Sequence, residues 1–115
     1  MSERLVFVSD DVFFWARVTG LAKARGLEVV RVADEAAMDE AYRAGGASRV
    51  IVDLGCRSVD ALAWAARWKA SSPAPQLIAF GSHVHEAALA AARAAGFDHV
   101  MPNSKFNREL PDWLS

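Results

Sequence analysis

Short apolar runs alternate with longer segments in which apolar residues recur every three or four positions. The apolar runs have the length of strands and cover residues 5–8, 27–32, 49–54, 76–80 and 98–101. Continuous apolar runs between polar turns are typical of strands that are buried on both faces of a sheet. The periodic segments predict helices that begin after residue 11, after Asp34, at residue 59, at residue 85 and near Ser104.

The ends and faces of these helices follow from their sequences. Glycines end the first, second and fourth helices, and the stretch 71–75 is the plainest loop. In the third helix, Leu62, Ala65 and Ala66 are expected to form the apolar face. Ser104 is expected to cap the last helix, which Pro111 should disturb, since proline lacks the backbone N–H of a helical residue. Residues 113–114 are expected to fold back as an apolar cap.

The alternation of strands and helices indicates the fold class. Strands joined through helices by short connections require a parallel sheet with helices on both faces, because each crossover is right-handed. The prediction is an α/β fold of the (βα)5 type, a doubly wound five-stranded parallel sheet in a three-layer sandwich. The 115 residues have the length of one domain, and we expect a single domain over residues 1–115.

Composition excludes several function classes. The formal net charge of -1, with scattered Lys and Arg, argues against a nucleic-acid-binding face. No apolar run reaches the roughly 18 residues that a membrane span needs, so no membrane partner is expected. Cys56 is the single cysteine, which excludes an internal disulfide and fits a reducing cytoplasm. The alanine-rich helices, in which Arg outnumbers Lys, are associated with GC-rich bacterial genomes.

Two acids mark the candidate site. Asp10 follows the first predicted strand, and Asp53 ends the third. Ligands of open parallel sheets bind at the carboxyl ends of the strands, so the two carboxylates indicate an acidic corner suited to Mg²⁺ or phosphoryl chemistry. Asp10 and Asp11 have an alternative role as caps of the first helix, because acidic side chains at a helix N-terminus accept hydrogen bonds from its free N–H groups and favour its dipole. Asp53 needs a cation or hydrogen-bond donors beside it, and Arg57 or the amides of the following turn would serve.

Five βα units with acids ending the first and third strands resemble the receiver domain of bacterial response regulators, the flavodoxin-like chemotaxis type. The resemblance implies that Asp53 is the phosphoacceptor. It also implies a Mg²⁺ site made by an acidic pair after the first strand, Asp53 and the carbonyl of Gly55. Counting back from the end of the first helix places Ser9 and Asp10 on the acidic pair, and a shift of one residue would make the pair Asp10 and Asp11.

The chain departs from the family pattern at two further positions. The family has a Thr or Ser after the fourth strand, where this chain has Gly81 with Ser82 beside it. The family has a Lys after the fifth strand, where this chain has Asn103, with Lys105 two residues beyond. Without that cation and hydroxyl, the charge of a transferring phosphoryl group is poorly stabilised. These departures predict that phosphorylation of Asp53 is residual or absent.

The leading hypothesis is therefore a stand-alone, degenerate receiver-like signalling module that acts through protein–protein contacts and is not an enzyme, with Mg²⁺ as the one possible cofactor. One alternative is an active, Mg²⁺-dependent aspartyl phosphoacceptor. Another is a small cofactor-binding flavodoxin-like protein or enzyme. The acidic loop after the first strand counts against the latter, because Asp10 and Asp11 would repel the phosphate of a flavin.

Aromatic residues outside the apolar stripes of the helices are candidate partner contacts. Phe13 falls outside the apolar stripe of the first helix, and Trp64 and Trp68 lie one turn apart beside the stripe of the third. The paired tryptophans have two alternative roles, as core residues or as an exposed anchor. We expect these three residues at an interface with a protein partner or in a homodimer, since Trp is enriched in such contacts. His83 and His85 make only a weak metal motif and are expected at the surface. Cys56 is expected to be a spectator.

Overall fold

The computed structural model describes residues 3–115, which form ten elements in strict alternation. The strands are β1 (Arg4–Val8), β2 (Glu28–Val32), β3 (Ala47–Asp53), β4 (Gln76–Gly81) and β5 (His99–Pro102). The helices are α1 (Val12–Ala24), α2 (Glu35–Ala44), α3 (Ala61–Ala70), α4 (Glu86–Ala94) and α5 (Asn103–Trp113). All ten predicted elements are present, with boundaries shifted by at most two residues. Within the described residues, no helix has the length and apolarity needed to cross a membrane.

The five strands form one parallel sheet in the order β2-β1-β3-β4-β5, which confirms the predicted fold class. The chain winds outward from β1 in both directions, so the loops after β1 and β3 diverge at the carboxyl edge of the sheet. In the strand register, Asp53 pairs with Phe80 and Gly81 pairs with Pro102. The sheet therefore brings the ends of β3, β4 and β5 side by side.

Side chains alternate between the two faces of the sheet and build two separate cores. One face packs under α2, α3 and α4, with the strand residues Val6, Val8, Val50, Val52, Leu77 and Ala79. The other face packs under α1 and α5, with the strand residues Leu5, Phe7, Ile51, Ile78, Phe80 and Met101. Burial of these branched and aromatic side chains from water is the main stabilising contribution, about 1.5–3 kcal/mol for each large residue. The predicted three-layer sandwich is confirmed.

Four phenylalanine rings, from Phe7, Phe14, Phe80 and Phe106, form a phenyl cluster between the sheet and its two covering helices. The rings of Phe80 and Phe106 stack with centroids 3.9 Å apart, and Phe80 also lies 4.9 Å from Phe14 and 6.3 Å from Phe7. Aromatic pairs at such distances add about 0.5–1.5 kcal/mol each to the effect of burial. The cluster joins β1, β4, α1 and α5, and its central ring precedes Gly81 directly.

The start of α5 corrects one prediction, and its interior corrects another. Pro102 is the N-cap and Ser104 lies within the helix, because α5 follows β5 without a loop. Ser104 is therefore not the cap. Pro111 lies inside the helix without ending it. Proline leaves the carbonyl four residues earlier, that of Asn107, without its helical donor, and Arg17 Nη2 donates to this oxygen at 2.9 Å.

The buried face of α3 also differs from the prediction. Leu62 is 40% exposed and Ala66 is exposed, whereas Trp64 and Trp68 are only 5% and 3% exposed. The two indole rings pack on Tyr42 of α2, with ring centroids 5.5 and 4.9 Å from the tyrosine ring. Turning the helix this way buries its two largest apolar side chains.

The tryptophan pair is thus a structural contact between α2 and α3. Trp64 Nε1 donates to Glu35 Oε1 at 2.9 Å, and the Arg67 guanidinium lies 4.1 Å from the centre of the Trp64 ring. The prediction that Trp64 and Trp68 form an exposed interface is wrong, because both indoles are buried within one protomer. A homodimer built on this pair loses its basis for the same reason.

Candidate functional site

Asp53 sits at the carboxyl end of β3 with both carboxylate oxygens occupied. Ser9 Oγ donates to Oδ2 at 2.8 Å, and the backbone N–H of Gly55 donates to Oδ1 at 2.8 Å. Ser9 is fully buried, and its Oγ in turn accepts from the backbone N–H of Asp11 at 3.0 Å. The sequence predicted that this carboxylate needs hydrogen-bond donors. A hydroxyl and a backbone amide provide them, and Arg57 is not among its hydrogen-bond partners.

Burial raises the pKa of Asp53 above its usual value of 3.8. The hydrogen bonds from Ser9 and Gly55 favour the charged form and partly offset this, while the nearby Asp10 and Asp11 carboxylates raise the pKa further. Asp53 is only 8% exposed. The candidate phosphoacceptor is therefore a carboxylate that is costly to keep charged.

The structure distinguishes the two alignments of the acidic pair. Asp11 is the N-cap of α1, where its Oδ1 accepts from the N–H groups of Phe13 and Phe14 at 2.8 and 3.2 Å. Ser9, not Asp11, touches Asp53. The pair beside Asp53 is thus Ser9 and Asp10, with Asp10 exposed to solvent. The capping role weighed for Asp11 is what the structure shows.

The residues predicted to hold Mg²⁺ were Asp10, Asp11, Asp53 and Gly55. Among the described residues, no group of three or more His, Cys, Asp or Glu side chains is placed to hold a metal ion. Asp11 is engaged in capping, and the Asp53 oxygens already accept hydrogen bonds. Asp10 is then the one carboxylate at this corner without such an engagement. Mg²⁺ is commonly held by one or two carboxylates together with waters, so a site made by Asp10, Asp53 and the carbonyl of Gly55 stays a prediction.

The hydroxyl position of the family is crowded by Leu54 and Leu89. A Cβ added to Gly81 would lie 3.3 Å from Leu54 Cβ and 3.6 Å from Leu89 Cδ2. A threonine or serine here would crowd Leu54, which follows Asp53 directly. Ser82, the neighbouring hydroxyl, accepts from the N–H of Val84 at 3.4 Å and so belongs to the loop after β4.

The lysine position of the family is occupied by an amide. Asn103 is the first residue of α5, and its Oδ1 is buried without a hydrogen-bond partner. Lys105 is exposed in the first turn of the same helix and does not line the cavity beside Asp53. The cationic group that would neutralise a phosphoryl dianion at Asp53 is thus not supplied from either position.

A small cavity of about 130 Å³ lies beside the Asp53 carboxylate. Its lining residues include Asp53, Gly55, Gly81, Ser82, His85 and Asn103. His85 is exposed, as the sequence predicted, and it lines the cavity although it was not among the predicted residues of this site. The signal available in the sequence was its position at the N-cap of α4, close after β4. The sheet therefore collects at one place five of the predicted positions and one unpredicted histidine.

Two further expectations concern Phe13 and Cys56. Phe13 is 84% exposed, as its place outside the stripe predicted, and a partner contact there stays a prediction. Cys56 is buried in the turn after Asp53, and burial raises the pKa of its thiol. A thiol held in its protonated form is a weak nucleophile, which favours the spectator role.

Solved structures that resemble this chain are receiver domains. The signal receiver domain of a response regulator from Bermanella marisrubri has a TM-score of 0.82 at 19% identity, covering 99% of this chain and 96% of the other. A receiver domain protein from Methanospirillum hungatei has a TM-score of 0.78 at 13% identity, covering 99% and 94%. No protein-family model and no curated protein sequence matches.

A third similar structure contains a phosphorylated residue and a metal ion. It is a response regulator protein from Burkholderia pseudomallei with a phosphorylated aspartic acid, a calcium ion and citrate. Its TM-score is 0.80 at 15% identity, covering 99% of this chain and 67% of the other. At these identities the likeness shows the fold: this chain has the fold of response regulator receiver domains.

Proposed function

We propose that the chain is a degenerate receiver-like signalling module, which acts through contacts with another protein and has no effective aspartyl phosphate cycle. The observation that carries this proposal is the Ser9–Asp53–Gly55 network. A neutral hydroxyl donates to the acceptor carboxylate where the family has an acid that helps to bind Mg²⁺. The receiver fold of the neighbours supports the signalling role.

Phosphoryl transfer depends on preorganised positive charge around the transferring group. Here Asn103 replaces the lysine, and the space beside Gly81 is limited by Leu54. A phosphoryl dianion on Asp53 would add negative charge beside Asp10 and Asp11, which already disfavour a charge there. Residual phosphorylation is the most that this arrangement favours. The proposal includes a cytoplasmic, non-enzymatic role in two-component signalling.

The test is the formation of a beryllofluoride adduct, which mimics an aspartyl phosphate. We expect the ¹H-¹⁵N spectrum of the protein to stay unchanged around Asp53 and Gly55 when beryllofluoride and an excess of Mg²⁺ are added. A response regulator that forms the adduct serves as the positive control for the reagent. Saturable shifts at these two residues would refute the proposal and establish the active phosphoacceptor instead.

A further inference from the structure

The strand β2 forms one edge of the sheet and has unused backbone groups there. Among residues 3–115, β1 is the only strand that pairs with it. The N–H of Glu28 donates to Glu3 O at 2.9 Å, so Glu28 turns its backbone toward β1. Successive residues of a strand alternate in this direction. Val29 and Arg31 therefore direct their N–H and C=O groups to the open side, and within the described chain no other element bonds to them.

The two edges of the sheet differ in how open they are. The opposite edge strand, β5, has four residues, ends in Pro102 and continues directly into α5. Short edge strands and prolines are devices by which proteins prevent the addition of another strand. In contrast, β2 has five residues and no proline. The edge at β2 is therefore the one that can accept a further strand.

A surface groove of about 520 Å³ lies between α1 and the start of β2. Trp15, Thr19 and Lys23 line it from α1 at intervals of one turn, and residues 26–29 line it from the other side. The half-buried side chains of Trp15 and Val29 give it an apolar floor. A strand added to β2 places every second side chain over this groove, because side chains alternate between the faces of a sheet. Added strands of this kind gain affinity from the backbone and specificity from such a groove.

The charges around the groove select the kind of segment that fits. Lys23 is exposed at the groove, and the Arg31 guanidinium lies 5.4 Å from the centre of the Trp15 ring on the same face of the sheet. Within residues 3–115, neither cation forms an ion pair. Glu28 points to the other face, where its carboxylate lies 4.0 Å from Arg4 Nε. A second copy of this chain would bring its own Lys23 and Arg31 to the contact, and like charges disfavour that pairing. The groove therefore favours an acidic segment of another protein.

We propose that a protein partner adds an extended segment to β2 as a further strand, with apolar side chains over the groove and an acidic side chain beside Lys23 and Arg31. The outward N–H and C=O groups of Val29 and Arg31 form the ladder with that segment. This contact rests on the proposed function, because it names the chemistry by which another protein engages the module.

The test uses blocked hexapeptides and ¹H-¹⁵N spectra of the full chain. The first probe has the sequence glutamate-threonine-valine-threonine-valine-threonine, which places the glutamate and both valines on one face of a strand. We expect saturable shifts at Thr19, Val29 and Arg31, and slower hydrogen exchange at the N–H groups of Val29 and Arg31. Glutamine in place of the glutamate should weaken binding about two- to fivefold, the value of an exposed ion pair. Added salt should remove this difference.

Two further probes distinguish strand addition from binding through side chains alone. Each carries one N-methyl group, on the third or on the fourth residue, which removes one backbone donor. Because neighbouring N–H groups of a strand point in opposite directions, one probe should bind at least about tenfold more weakly and the other about as well as the parent. Equal binding of the two methylated probes, or no saturable shift with the parent, would overturn the inference.

Three variants locate the contact on the protein. Lys23→Gln, a change at an exposed position, should weaken the glutamate probe about two- to fivefold and leave the glutamine probe unaffected. Val29→Pro removes an outward N–H and should abolish binding of both. Arg93→Gln, which removes an exposed cation on α4, is the matched control and should leave binding unchanged.

Shifts away from β2 and α1 would overturn the inference. So would a dimer in sedimentation that Val29→Pro abolishes, because a second copy would then occupy the edge. A failed parent probe without a beryllofluoride adduct would overturn the strand contact alone, whereas an adduct would refute the proposed function alone.

Discussion

Restoring the acid at position 9 should destabilise the fold and create a Mg²⁺ requirement. Ser9 is fully buried, and its Oγ lies 2.8 Å from Asp53 Oδ2. In Ser9→Asp two carboxylates would lie about 4 Å apart, where an effective dielectric constant of about 20 gives a repulsion of about 4 kcal/mol. The lost serine hydrogen bond adds about 1 kcal/mol. Small domains have about 5–15 kcal/mol of stability in total, so the loss should be large.

The assay is urea unfolding at pH 7, with and without Mg²⁺. Ser9→Asn, which has the size of aspartate without its charge, is the control, and the difference between the two variants isolates the repulsion. Mg²⁺ at about a hundred times its dissociation constant should return about 2.7 kcal/mol to Ser9→Asp and little to the wild-type protein. Equal stabilities of the two variants without Mg²⁺, or equal stabilisation of wild type by Mg²⁺, would refute the argument.

Three further predictions follow from burial. Because burial raises the pKa of Asp53 above 3.8, the folded protein binds a proton that the unfolded chain releases, and stability falls as the pH rises through that window. Asp53→Asn should therefore have a higher urea midpoint than wild type at pH 7. The advantage should disappear below pH 3.8, where Asp53 is protonated in both the folded and the unfolded wild-type protein. An unchanged midpoint at pH 7 would contradict this. Trp64→Ala should lower the unfolding free energy, measured by thermal denaturation, by about 3–5 kcal/mol, because Trp64 is buried. Phe13→Ala should change it by less than about 0.5 kcal/mol, because Phe13 is exposed. Similar costs would mean that Trp64 is not buried. Gly81→Thr should lower the unfolding free energy by about 1–3 kcal/mol, because the new side chain crowds Leu54. In a Leu54→Ala background the same substitution should cost less. Equal costs in the two backgrounds would show that the contact with Leu54 is not the cause.

The strands and their carboxyl ends were predictable because the signals are local. A continuous apolar run ending in a single acid, as at Asp53, indicates both the strand and the side chain at its end. The resemblance to receiver domains then assigned Gly81 and Asn103 to the same corner as Asp53, and the neighbourhood of these three residues could be anticipated without coordinates.

The errors concern contacts between residues far apart in the chain. The third helix has apolar residues on almost every side, so periodicity alone could not choose between Leu62 and the two tryptophans, and Tyr42 of α2 makes the choice. Pro111 is tolerated because Arg17, 90 positions away, donates to the free carbonyl. His85 enters the site only because β4 ends beside β3. The pattern of neighbouring residues in the sequence does not indicate any of these long-range contacts.

The phenyl cluster has a consequence for the thermodynamics of association. Phe80 is held by three other rings, so the loop that begins at Gly81 starts from a fixed point. The anchored end reduces the conformational entropy that this loop would lose if a partner bound it. The heat-capacity change of such binding should then correspond closely to the contact area.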